Sequence, residues 1–299
     1  MDFDALLSLS TPQVRKVVPQ FLAGYFSDAH AGLIEATRAG AEQVLQDASD
    51  EAIARALEVY GSAGQEWRIH EADPVLRALS RDWMPRCMPQ AEVRGVENLP
   101  EDPRGSLFIC NHLSYVDTQV TDSLLAGAGA ASTADHVLVV AGPKVYTEPF
   151  RRVAATALNT LMTPQSGRLS HNTAGMSQRE VAGIAVQCMK QAKAWMAERG
   201  PLLLYPEGSR SRSGRMGPFL RAAARYARGV ERVVPLAITG SEKLFAYDER
   251  MRVAKVTLTV GQPFKPGAGK TEALERAWEA IAALLPPDYA PEDGTERLR

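Results

Sequence analysis

Ser106-Leu107-Phe108-Ile109-Cys110-Asn111-His112-Leu113-Ser114-Tyr115-Val116-Asp117 decides how this chain is read. The first five residues form a short apolar run with a β-rich middle, the pattern of a buried strand. His112 then falls just past the carboxyl end of that strand, where open α/β sheets place their ligand sites. Asp117 follows five positions later, across a strand-to-helix turn that lets the two side chains meet. Of the five histidines in the chain, only His112 has an aspartate at this spacing. The plain alternative is that the pair merely starts and caps a helix. The chemical reading is sharper. A neutral imidazole can take a proton from an alcohol as that alcohol attacks a carbonyl. It needs one ring nitrogen free and the other held as a donor by a carboxylate. No G-x-S-x-G stretch offers a serine nucleophile, which favours direct attack by a substrate hydroxyl over an acyl-enzyme.

Working outward, Pro201-Leu202-Leu203-Leu204-Tyr205 is a second buried-strand candidate, and it runs into Pro206-Glu207-Gly208-Ser209-Arg210-Ser211-Arg212. Gly208 permits a sharp turn and close backbone approach. Arg210 and Arg212 lie in a Gly/Ser-rich loop, and guanidinium groups bind phosphate bidentately while staying charged. A solvated basic loop is the bland reading. Its position straight after a strand, in the same half of the chain as His112, favours an anion site.

Further strands are expected at 136–141, 232–238 and 254–260, with helices at 117–127, 148–158, 178–198, 218–228 and 270–285. This alternation implies an α/β fold with a mixed, mostly parallel sheet flanked by helices. Residues 1–85 read as a small helical bundle that precedes it. Val14, Val17, Val18, Phe21 and Leu22 recur at helical spacing, as do Ile53, Ala56, Leu57 and Tyr60. Thr11-Pro12 and Ser49-Asp50-Glu51 are helix starts. The domain expectation is therefore a bundle over 1–85 and a catalytic domain over 86–299, with 86–104 as the connection. The polar residues after Pro286-Pro287 are expected to be mobile.

Net charge is −1, which does not indicate a nucleic-acid partner. The distribution is uneven. Residues 1–100 carry 9 Lys/Arg against 15 Asp/Glu, and the remainder 25 against 20, so the positive part holds the proposed anion site. Cys87, Cys110 and Cys188 fit no metal spacing. The N-terminus has no signal-peptide pattern, and no apolar stretch reaches bilayer-spanning length, so a cytoplasmic enzyme is expected.

The two motifs, in this order and about ninety residues apart, resemble those of the glycerolipid acyltransferase superfamily, which uses a His-x4-Asp dyad. Val140-Ala141-Gly142-Pro143-Lys144-Val145 through Pro149-Phe150-Arg151 resembles that family's second block. Val233-Val234-Pro235-Leu236-Ala237-Ile238 resembles its fourth. Within the superfamily the chain most resembles soluble, plastid-type glycerol-3-phosphate acyltransferases. The resemblance implies His112 as general base, Asp117 as its orienter, and Arg210 and Arg212 as ligands of a glycerol phosphate group. Glu207, Gly208, Lys144 and Arg168 join the substrate-binding set on the same ground, with His171 an alternative to Arg168. The expected reaction moves a fatty acyl group from an acyl-CoA or acyl-carrier-protein thioester to a hydroxyl of glycerol 3-phosphate. No metal or redox cofactor is implied, and contact with a membrane surface stays open. Glu207-Gly208-Ser209-Arg210 is a form also found in lysophosphatidate acyltransferases, so that acceptor is the alternative. A thioester hydrolase, in which His112 activates water, is the alternative from another class.

Overall fold

The computed structural model describes residues 3–26, 30–164, 175–245 and 250–299. Chain contacts divide it into two compact units, each assembled from three segments: 1–89, 141–188 and 244–253 in one, 90–140, 189–243 and 254–299 in the other. This partition differs from the linear division expected at residue 85, because two later segments group with the N-terminal helices.

The first unit is built around helices α1 (Phe3–Leu7), α2 (Thr11–Ala23), α3 (Ala31–Asp47), α4 (Asp50–Ser62) and α5 (Pro74–Cys87), joined by α8 (Pro149–Thr156). Their starts are locally encoded. Ser49 caps α4 by accepting from the Ala52 amide, and Asp73 caps α5 by accepting from Val75 and Leu76. Leu45, Ile53, Leu79 and Met84 are essentially inaccessible. Phe150 of α8 packs against Tyr25, Trp83 and Phe245, with ring centroids 4.2, 5.6 and 5.2 Å apart. Two strands, β1 (Ile69–His70) and β5 (Asn159–Met162), pair antiparallel in this unit. Both were missed from sequence. The expected helix over 148–158 stops at Thr156, and Asn159–Met162, buried throughout, forms a strand.

The second unit carries the sheet that matters for function. Its strands are β2 (Glu92–Arg94), β3 (Ser106–Cys110), β4 (Leu138–Ala141), β6 (Leu202–Leu204), β7 (Arg232–Thr239) and β8 (Thr257–Val260), in the order β4-β6-β3-β7-β8-β2. Every neighbouring pair is parallel except β7 with β8. The fold is thus α/β with a mixed, mostly parallel sheet. All five β3 residues are buried, as the continuous apolar run requires. In register, Ile109 of β3 lies between Leu204 of β6 and Pro235 of β7, so β3 and β6 end nearly side by side while β7 runs on to Thr239.

Helices α6 (Asp117–Leu125), α7 (Ala131–His136) and α11 (Glu272–Leu284) belong to this unit, as do residues 241–243 of the short α10 (Ser241–Leu244), while α9 (Gln178–Glu198) runs across the boundary between segments. The expected helix over 117–127 ends at Leu125. Ala126-Gly127-Ala128-Gly129-Ala130 follows, and Gly129 takes φ +87°, breaking the helical path before α7. That extra helix displaces the start of the expected strand from 136 to 138. Residues 221–227 form 3₁₀ turns rather than an α-helix.

The residues after Pro287 are not the loose tail expected. Phe219 and Leu298 form a parallel bridge. The Phe219 amide donates to Arg297, the Arg299 amide to Phe219, and the Arg221 amide to Arg299. Polar composition hid this, because backbone pairing with 216–221 needs no apolar side chains. Among the described residues, no helix is long and apolar enough to cross a membrane.

Candidate active site

Three adjacent parallel strands deliver the site to one edge of the sheet. β3 ends at Cys110 and presents Asn111 and His112; β6 ends at Leu204 and presents Tyr205 and Glu207; β7 ends at Thr239 and presents Ser241. Asn111, fully buried, extends the β3–β7 pairing with its side chain: its Nδ2 donates to the Ile238 carbonyl (2.9 Å) and its Oδ1 accepts from the Ile238 amide (2.8 Å). The backbone entering His112 is therefore tied to β7 by two bonds.

His112 Nδ1 lies 2.8 Å from Asp117 Oδ2. The same oxygen accepts from the amides of Leu113 (2.7 Å) and Ser114 (2.9 Å), while Asp117 Oδ1 accepts from Ser241 Oγ (2.5 Å). Asp117 is 1% exposed, and the His112 side chain 20%. An acceptor-only carboxylate at Nδ1 places the proton on that nitrogen and leaves Nε2 as the basic one. Asp117 does not cap α6, whose N-cap is Val116 without a side-chain bond; its carboxylate instead closes the 113–117 turn ahead of the helix. The two duties coexist because a carboxylate oxygen can accept several donors.

The imidazole is fixed on its face as well. Tyr205 stacks on it at 4.5 Å between centroids, 27° from parallel, with its hydroxyl 3.2 Å from Thr118 Oγ1. Burial pushes the Tyr205 hydroxyl well above its ordinary value. Burial does the same to the Cys110 thiol, so a thiolate nucleophile is not available there.

Glu207 is 4% exposed and faces inward. Its Oε1 accepts from the His112 amide (2.8 Å) and its Oε2 from the Gly217 amide (2.9 Å). Burial pushes its carboxyl up to about 7, with the two amides pulling the other way. Both oxygens are committed to backbone, so the side chain ties the histidine turn to the arginine loop. Gly208 adopts φ +71°, and a Cβ there would run into Leu220, so its place in the motif is conformational. The Ser211 amide donates to the His112 carbonyl (2.8 Å), which lays the loop directly on the dyad. Arg210 sits over the Tyr115 ring, 3.6 Å from its centroid, and Arg212 is exposed.

The structure brings His112, Asp117, Glu207, Gly208 and Arg210 together within one unit. Lys144 lies in the other, in a 3₁₀ turn over Pro143–Tyr146. Arg168 and His171 fall outside the described residues. Backbone donors near 111–113 and 208–210, attractive from sequence as an oxyanion site, are partly spent: the His112, Leu113 and Gly208 amides have internal partners. Sequence reasoning missed Tyr205, Tyr115 and Ser241. Two of these sat inside quoted motifs, where aromatic residues at a histidine and an arginine were the available signal.

The C-terminal segment also reaches this loop. The Arg299 guanidinium donates to the Glu207 carbonyl (2.9 Å), and Arg215 Nη1 donates to the carbonyls of Pro287 (2.8 Å) and Ala290 (3.0 Å).

The chain is 26% identical to a 1-acyl-sn-glycerol-3-phosphate acyltransferase of Chlamydomonas reinhardtii over 199 residues, 65% of this chain and 52% of that protein. It is 27% identical to a chloroplastic 1-acyl-sn-glycerol-3-phosphate acyltransferase of Brassica napus over 52% of this chain and 39% of that one. The chain thus spans about half or less of the length of these relatives. Among solved structures, a 1-acyl-sn-glycerophosphate acyltransferase from Thermotoga maritima superposes with a TM-score of 0.47 at 18% identity, covering 93% of this chain and 94% of that one. The family model described as Acyltransferase matches residues 90–239, half of the chain and the stretch that holds both the dyad and the arginine loop; the chain belongs to the acyltransferase family.

Proposed function

We propose that this chain transfers an acyl group from a thioester donor, acyl-CoA or an acyl carrier protein, to the free hydroxyl of a 1-acylglycerol 3-phosphate. The observation that carries the reaction type is the 2.8 Å contact of His112 Nδ1 with a buried carboxylate. Nε2 takes the hydroxyl proton as the acceptor oxygen attacks the thioester carbon. The C–O bond forms, the C–S bond breaks, and the imidazolium returns its proton to the departing sulfur. Water and metal are not needed as reactants.

Charge and the relatives support the choice of acceptor. Arg210 and Arg212 suit a phosphate, and the Ser211–His112 backbone bond that seats their loop on the dyad supports a phosphorylated acceptor. The relatives reported above are named for 1-acylglycerol 3-phosphate, which supports lysophosphatidate over glycerol 3-phosphate as acceptor. Glycerol 3-phosphate is the second reading, supported by the two-residue spacing of the arginines in Gly208-Ser209-Arg210-Ser211-Arg212. Lys144 and Arg168 enter as further phosphate-binding cations through the resemblance alone. A lysophospholipid resides in a bilayer, so this reading carries a cytoplasmic enzyme with peripheral membrane contact.

Purified protein, palmitoyl-CoA and a chromogenic thiol reagent test this. Thiol release should rise far above the acceptor-free rate with lysophosphatidate, with phosphatidate as product. Stimulation by glycerol 3-phosphate alone selects the second reading. Equal rates with and without acceptor, yielding free fatty acid, would make the protein a hydrolase.

A further inference from the structure

We infer that Ser241 is a positioning residue of the dyad: its hydroxyl locks the plane of the Asp117 carboxylate and thereby governs how His112 takes and gives up its proton. Ser241's role presupposes His112 acting as the base proposed above. Three donors, His112 Nδ1 and the Leu113 and Ser114 amides, converge on Asp117 Oδ2 at 2.7–2.9 Å. All three come from the 112–114 turn itself and hold one oxygen. Ser241 Oγ donates to the other oxygen at 2.5 Å, from a different element 124 residues further along the chain, and so adds the second point that defines the carboxylate plane. Ser241 is inaccessible and Asp117 is 1% exposed, so bulk water does not compete for this bond.

The backbone is built to deliver it. β7 ends at Thr239, and Gly240 takes φ +85° in a spot where a Cβ would meet the Lys255 carbonyl. That turn brings Ser241 from the strand end to the start of α10 and under Asp117. The hydroxyl also draws carboxylate charge toward Oδ1, away from the imidazole. Its removal has two separable effects. Orientation loosens, lowering turnover, and the charge facing His112 grows, favouring the imidazolium and moving the pH dependence.

The titratable groups around the dyad are Glu207 beneath the His112 amide, Tyr205 on its ring and Cys110 at the strand end. Beside Ser241, Glu242 accepts from the Tyr289 hydroxyl (2.7 Å), and Lys243 stands 5.9 Å from that tyrosine's ring centroid. Burial keeps Tyr205 and Cys110 protonated near neutrality, so Glu207 is the neighbour that could confuse a pH profile.

The experiment is a pH profile of kcat/KM for wild type, Ser241→Ala, Ser241→Thr and Ser241→Cys, each repeated in a Glu207→Gln background. Leaving a buried acceptor unsatisfied corresponds to roughly a 5- to 100-fold loss, so kcat of Ser241→Ala should fall within that range with both substrate KM values little changed. The rising limb should move to higher pH in both backgrounds. Threonine, which keeps the hydroxyl, should restore kcat and the limb, and the weaker thiol donor should fall between. A Ser241→Ala protein with an unmoved limb, or a loss that threonine does not repair while the limb stays put, overturns the assignment and makes Ser241 a packing residue. Should alanine fail to fold, cysteine and threonine carry the same comparison. His112→Ala is measured alongside. If it stays active, the base itself is wrong and Ser241 falls with it; if it is dead while Ser241→Ala matches wild type, only Ser241 falls.

Discussion

Replacing Asp117 with asparagine separates orientation from charge at this dyad. An amide can sit two ways in the carboxylate's place. With its oxygen where Oδ2 lies, it still accepts from His112 Nδ1 and from the Leu113 and Ser114 amides, and its NH₂ faces Ser241, whose hydroxyl can rotate to accept. The reverse pose sets an NH₂ against three donors, each a buried mismatch of about 1–3 kcal/mol. The first pose therefore wins by several kcal/mol, the proton stays on Nδ1, and Nε2 remains the base. Only the negative charge is lost. Hydrogen bonds to charged groups contribute about 1.5–3 kcal/mol against about 0.5–1.5 for neutral ones. The difference of about 1–2 kcal/mol in support of the imidazolium lowers kcat/KM by roughly 5- to 30-fold. His112→Ala, which removes the base, should cost ~10²–10⁴. An asparagine that turned its NH₂ to the ring would cost about as much, as it does in serine proteases. Acceptor-dependent thiol release, with circular dichroism and melting to confirm the fold, compares the two variants. A well-folded Asp117→Asn protein as inactive as His112→Ala would refute the claim that the 113 and 114 amides dictate the pose.

The remaining predictions concern the loop. The Glu207 carboxyl is raised from 4.5 to about 7, so its contribution to stability is complete below about 4.5 and is lost as pH rises through about 7. Relative to Glu207→Gln, wild type should lose about 3 kcal/mol across that window; denaturant midpoints at pH 4.5 and 8 that shift in parallel for the two proteins would rule this out. Arg210→Ala should raise acceptor KM by roughly 10- to 100-fold with donor KM little changed, and lysine should substitute poorly; equal rises in both would place Arg210 at the donor's phosphates. Removing residues 288–299 takes away the partners of Met216, Phe219, Arg221 and the Glu207 carbonyl. Acceptor KM should then rise at least ~10-fold, by the loss of two or more hydrogen bonds at about 1 kcal/mol each, and unchanged kinetics would show the segment to be dispensable.

What could be read from the chain alone follows the range of the interactions. The β3 strand and the His112–Asp117 meeting are encoded within twelve consecutive residues, Ser106 to Asp117, where an apolar run and a five-residue spacing suffice. Helix α9, with a 21-residue amphipathic span and no internal glycine strong enough to break it, matches its expected bounds of 178–198. Short strands such as Glu92–Arg94 and Asn159–Met162 carry too few residues for a two-residue period to show, and their pairing partners lie far off in sequence. The N-terminal helices were legible one by one, but their grouping with 141–188 and 244–253 was not, because apolar periodicity says that a face is covered and not by what.

Glu207 shows why the site was harder than the fold. Beside a basic loop, a carboxylate followed by glycine reads as a ligand-facing group. Its actual partners are two amides, at His112 and Gly217, and backbone donors leave no mark in a sequence. The same holds for Asp117, whose spacing from His112 is visible but whose three other donors are not. Four donors on one buried carboxylate and two on another mean that both acids spend most of their hydrogen bonding on the protein itself. The imidazole is therefore fixed through Asp117 on one side, Glu207 beneath its backbone and Tyr205 on its face before any substrate arrives. Fixing a base in advance lowers the reorganisation needed during proton transfer. With His112 as the proposed base, much of the catalytic advantage would accordingly reside in groups that never touch the substrate.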